Sequence, residues 1–124
     1  MKTKGEIEAT ISEEIHRFEK EYMGRSPKDI QVYLFDDLLV IRLRGILAAA
    51  EQNLVKSFES GRSLLKQVRS NLIETTRPVM ETMVEKVIGV KILTMHHDIC
   101  FTTGEEVILF TLAGSPDFPE AKMK

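Results

Sequence analysis

The sequence predicts an α+β fold: two helix–β-hairpin units forming a four-stranded antiparallel sheet packed against helices, with a long central helix. Three observations predict it. Two strand-like runs, 36–45 and 105–114, each begin at an acidic pair (Asp36-Asp37, Glu105-Glu106), continue apolar and stop at a glycine (Gly45, Gly114). Each hairpin to which these runs belong follows a helical stretch that ends in glycine, Gly24 and Gly89. Between the hairpins, Leu47, Ala50, Leu54, Phe58, Gly61, Leu65, Val68 and Leu72 keep the three-four spacing of a helix.

The first helix is expected over 4–23. Ile7, Ile11, Ile15, Phe18 and Tyr22 make one apolar stripe, and glutamates crowd the first half, where they suit the positive end of the helix dipole. Residues 29–35 alternate as a strand, with Ile30, Val32 and Leu34 on one face and Tyr33 and Phe35 on the other. Asp36-Asp37 reads as a tight polar break. In the return strand, Leu39, Ile41 and Leu43 share one face and Val40, Arg42 and Arg44 the opposite one. The three-four stripe then predicts either one helix over 47–76 or two helices meeting near Ser60-Gly61. An unbroken version would be ~45 Å long, more than so small a domain covers by itself, and a second copy of the chain is the simplest cover. Pro78 removes a helical hydrogen bond. A new helix is therefore expected from Thr75 or Thr76, with Pro78 in its first turn. Residues 90–100 and 105–113 form the second hairpin, turning near Thr102-Thr103-Gly104. Residues 1–114 make one domain, and the Pro- and Lys-containing tail 115–124 is expected to fray.

Composition is that of a soluble globular protein: 43% hydrophobic, 29% charged, net charge −2. One cysteine excludes an intrachain disulfide and fits a reducing compartment, so the chain reads as cytoplasmic. No apolar run reaches the ~18 residues of a bilayer span, so direct membrane insertion is not expected. Charge is uneven along the chain. Residues 41–77 carry a net of +4, while 1–40 and 78–124 each carry −3. Nucleic acid is not an expected partner, because the net charge is negative and no binding motif occurs.

The basic island supplies the candidate site. Arg42 and Arg44 end one strand face, and Arg62, Lys66 and Arg69 share a helix face, with Arg77 beyond them. Guanidinium groups in such number suit an anion or an acidic partner surface, so Arg42, Arg44, Arg62, Arg69 and Arg77 are the candidate anion- or partner-binding residues. The competing reading pairs them with Glu51, Glu59 and Glu74 on neighbouring turns. His96-His97-Asp98-x-Cys100 is the densest group of potential metal ligands, with His96, Asp98 and Cys100 on one strand face. It has no second cluster to complete it, so no metal is assigned, and a metal-dependent enzyme there is the minor alternative. Asp36-Asp37 and Glu105-Glu106 read as solvated hairpin tips. Gly-Arg-Ser-Pro-Lys (24–28) lacks the glycine spacing of a phosphate loop and reads as helix stop and strand entry. No nucleophile–base pair, dinucleotide fingerprint or P-loop is present, so neither catalysis nor a cofactor is expected.

Taken in order, GRSPKDIQVYLFDDLLVIRLRGIL (24–47), AEQNL (50–54), GRSLLKQVR (61–69), ETTRPVMETM (74–83), GVKILTMHHDI (89–99) and GEEVILF (104–110) resemble the MpsC-like family. These are small bacterial proteins, formerly a domain of unknown function, labelled after the third component of a Na+-translocating, membrane-potential-generating system. The resemblance covers about residues 4–113 and supplies no catalytic set. It implies a non-enzymatic accessory component of a cation or bicarbonate-uptake system, acting by protein–protein interaction as a homodimer, with membrane transporter subunits as further partners. Among positions fitting the family pattern, Glu51, His96 and Asp98 are the polar candidates besides the arginines. The alternative is a bicarbonate- or phosphate-binding module that uses the central arginines.

Overall fold

The computed structural model describes residues 3–57 and 59–116. Its elements are α1 (Lys4–Tyr22), β1 (Asp29–Phe35), β2 (Leu38–Arg44), α2 (Ala49–Ser57), α3 (Glu59–Ile88), β3 (Ile92–Cys100) and β4 (Glu105–Leu112). The fold is α+β: one four-stranded antiparallel sheet in the order β1-β2-β4-β3, with a long central helix. The two acidic-led return strands, β2 and β4, lie side by side at its centre, pairing Val40 with Leu109 and Ile41 with Ile108. The two helix–hairpin units therefore meet back to back.

Alternation along each strand decides which side is covered. Val32 and Leu34, Leu39, Ile41 and Leu43, and Ile108, Phe110 and Leu112 point to the helices and are buried. They meet Ile7, Ile11, Ile15 and Phe18 of α1 and Ile73, Met80, Val84 and Ile88 of α3 in one continuous core. Each fully buried side chain of this kind contributes roughly 1.5–3 kcal/mol. A capping box starts α1: Glu6 N–H donates to Thr3 Oγ1 at 3.2 Å and Thr3 N–H donates to Glu6 Oε1 at 2.9 Å. The first hairpin turns on two residues, Asp36-Asp37, both exposed, with Asp36 at φ 50°.

Of the two readings of the 47–76 stripe, the structure has the two-helix one, with the junction between Ser57 and Glu59, just before Ser60-Gly61. Gly61 explains the tight packing there, since a Cβ on it would stand 2.5 Å from the Leu54 carbonyl oxygen. Along the stripe Leu47, Leu54, Leu65 and Leu72 are half-buried, while Ala50 and Val68 stay exposed; Val55, beside the stripe, is buried. Phe58 lies outside the described residues. One expectation is overturned: no new helix begins at Thr75 or Thr76, because the 30-residue α3 runs through Pro78. The proline is on the solvent side of α3, where the lost hydrogen bond leaves a carbonyl that water can reach. Residues 117–124 of the expected frayed tail lie outside the described residues, and Pro116 is buried.

Candidate functional site

Three charged side chains occupy core-facing positions. Glu19 follows Ile15 by one turn on the apolar stripe of α1. Glu106 precedes Ile108, Phe110 and Leu112 on the inward face of β4. Arg69 lies one turn before Ile73 on α3. Their exposures are 0%, 0% and 3%. Arg69 Nη2 donates to Glu19 Oε1 at 3.0 Å and also to Glu106 Oε1. The second oxygen of each carboxylate, and Nε and Nη1 of Arg69, hydrogen-bond no protein atom.

One guanidinium thus faces two carboxylates away from water. Burial pushes the Glu19 carboxyl above its ordinary range. Arg69 pulls it back, and the neighbouring Glu106 charge pushes it up again. Burial also opposes the charge on Arg69, but Glu106 and Glu19 outweigh it and raise its pKa. The arrangement sets one positive charge against two carboxyl groups at close range.

A second pair extends the cluster outward. Arg25 donates through both terminal nitrogens to the two Glu51 oxygens, and its Nη1 also reaches the Ile46 carbonyl at 2.9 Å. Gly24, at φ +66°, makes the reversal after α1 that lets Arg25 N–H close on the Glu19 carbonyl at 3.0 Å. Glu51 also accepts from Ala48 N–H at 2.9 Å. The Arg25 hydrogen bonds hold its carboxyl below the usual range, against a smaller effect of burial. A cavity of about 10 Å³ lies between the Arg25 and Arg69 groups, room for about one water.

The structure separates the five candidate arginines. Arg42 and Arg44 lie on the outer sheet face, and both pair with Glu105. Arg77 pairs with Glu81 at 2.6 Å and Glu74 at 3.8 Å, so the Glu74 partner is the one expected from neighbouring turns. Arg69 is in the core, and Arg62 is exposed at the start of α3. His96, Asp98 and Cys100 share the outer face of the edge strand β3, where all three are exposed, as expected from alternation. Asp98 pairs with Lys66 at 3.2 Å, while Glu51 lies with Arg25 and away from His96 and Asp98. Among the described residues, no three His, Cys, Asp or Glu side chains are grouped to hold a metal ion. The Glu105-Glu106 pair is not a solvated tip: Glu106 is fully buried and Glu105 is bound to two arginines.

Sequence reasoning missed Glu19, Arg25 and Glu106. The signal for Glu19 and Glu106 was present, since each interrupts an apolar stripe at a position its neighbours bury.

A larger cleft lies beside the cluster. Its volume is about 450 Å³, and it is lined by Lys28, Gly45, Leu47, Gln52, Val55, Lys56, Arg62 and the turn Phe101–Gly104. Lys28 enters from the strand approach, Lys56 from the last turn of α2 and Arg62 from the first turns of α3. The Lys28 stem lies over Gly45, where a Cβ would meet it at 2.7 Å. Ile46 N–H donates to the Gly104 carbonyl at 3.2 Å and ties the two loops that floor the cleft. Of these residues only Arg62 was a sequence candidate.

No helix of the described residues is long and apolar enough to cross a membrane. No solved structure matches the chain. An uncharacterised protein of Bacillus subtilis (strain 168), YbcI, is 36% identical over 111 residues, which are 90% of this chain and 89% of that protein. Residues 3–114 match the family described as the Na+-translocating membrane potential-generating system (MpsC). By the extent of that match, nearly end to end across both helix–hairpin units, this chain belongs to the MpsC family.

Proposed function

We propose that the chain is a non-enzymatic accessory component of a Na+-translocating, membrane-potential-generating system, and that it works on the cytoplasmic side as a homodimer docked to transporter subunits. The family description supports the system. The single observation that carries the binding role is the uncovered sheet face. An antiparallel sheet packed on one side normally turns polar residues to water on the other. Here Tyr33, Phe35, Leu38, Val40, Val107 and Leu109 all point outward. Phe35 is 54% exposed, and its ring stacks on Tyr33 at 6.2 Å between centroids. Apolar surface gathered this way marks an interaction face.

Both signs of charge rim the strip, with Arg42, Arg44 and Glu105 at one end and Asp98 on the edge strand. A two-fold related copy can therefore set base against acid over a shared apolar centre. Sedimentation velocity over a wide concentration range tests the dimer, with Leu109→Glu as the disrupting variant. Co-purification from host membranes tests the transporter contact. The bicarbonate- or phosphate-binding alternative keeps one supporting observation, the cations of the 450 Å³ cleft.

A further inference from the structure

The geometry points to the cleft between α2, the start of α3 and the β3–β4 turn as a binding site for a phosphorylated small molecule with a planar body, of the nucleotide class. The argument begins with charge. Within the basic stretch 41–77, Arg42 and Arg44 are paired with Glu105, Lys66 with Asp98, Arg69 with Glu19 and Glu106, and Arg77 with Glu81. Lys56 and Arg62 are the exceptions among the described residues, and both line this cleft together with Lys28, which is likewise unpaired. No carboxylate stands among the described lining residues. Three uncompensated cations converging from three segments concentrate positive potential in one concavity.

Size and lining then narrow the ligand. About 450 Å³ lies within the ~300–1,000 Å³ typical of sites for small organic ligands, far beyond one inorganic ion. Leu47, Val55 and Phe101 supply an apolar wall, and Thr102, Thr103 and Gln52 supply hydroxyl and amide groups. Three cations suit a phosphate chain with more than one charge, Arg62 offers a planar fork to phosphate oxygens, and Phe101 offers a face for a base. The site is on the helix side of the sheet, away from the proposed dimer face, so it stands or falls independently of that reading.

Calorimetric titration of the full chain with ADP, adenosine and inorganic phosphate tests it. ADP is expected to bind saturably at one site per chain and to weaken as salt is added. Inorganic phosphate and adenosine are each expected to bind at least ~tenfold more weakly. Arg62→Gln and Lys56→Gln should each weaken ADP by roughly tenfold. Both side chains are exposed, so the thermal unfolding of these variants should match the parent, and sedimentation should show their self-association unchanged. No heat with ADP at millimolar concentration would overturn the inference. So would phosphate or adenosine binding as tightly as ADP, or ADP affinity unmoved in both variants.

Discussion

Arg69 is held in the core by two carboxylates, and removing it strands both of them. Arg69→Met should therefore cost about 3–5 kcal/mol, the typical loss when one member of a buried ion group is deleted. Replacing the whole group with Glu19→Leu, Arg69→Met and Glu106→Leu should recover most of that loss, because well-packed apolar side chains replace buried ions at little net cost. Urea titrations of the single and triple variants measure both effects. Glu19 makes a separate, pH-dependent prediction. Its folded-state pKa is raised, so its contribution to stability is fully present below the ordinary carboxylate range. That contribution is lost as pH rises through the folded value. Glu19→Gln removes the dependence. Relative to the parent, the variant should gain stability as pH rises above the ordinary carboxylate range, as read from paired thermal melts. Parallel stability curves for parent and variant would contradict a raised Glu19 pKa.

Among the elements, the strands and α1 were the most legible. Period-two alternation sorted the side chains of 29–35 and 38–44 onto two faces, and the stripe Ile7, Ile11, Ile15 and Phe18 marked the buried face of α1. The helical middle was less so, because the same three-four spacing serves one helix or two, and only the approach of Leu54 to Gly61 distinguishes them. Gly61→Ala tests that contact. Helix propensity alone would gain about 1 kcal/mol, yet a Cβ 2.5 Å from a backbone oxygen forces α2 away from α3. A net loss of about 1–3 kcal/mol is expected by chemical denaturation. Pro78 misled for the opposite reason. A local rule ends the helix there, but Arg69, Ile73, Met80, Val84 and Ile88 form one buried face of α3 that runs on through Pro78. Core burial outweighs one missing hydrogen bond. Pro78→Ala should then stabilise the protein by roughly 1–3 kcal/mol, the interior cost of proline less its benefit to the unfolded chain.

For the whole molecule, the candidate site was harder to read than the fold. The arginines announced themselves by number, but a charge count does not tell which are already neutralised. Glu105, Glu106, Glu81 and Asp98 come from later in the chain and neutralise most of the island, while Lys28 joins the unpaired remainder from before it. The apolar surface moved as well. The stripe from Leu47 to Leu72 is largely folded away, and the outer sheet face carries the surplus, with Phe35 and Tyr33 exposed beside Val40 and Leu109. The proposed self-association therefore belongs to the sheet rather than to the helix. Sedimentation velocity of the parent chain and of Leu109→Glu, from micromolar to hundreds of micromolar, tests this most directly. The expected result is a concentration-dependent dimer that Leu109→Glu returns to a folded monomer. A parent chain that stays monomeric and fully folded throughout, or a dimer indifferent to Leu109→Glu, would contradict it.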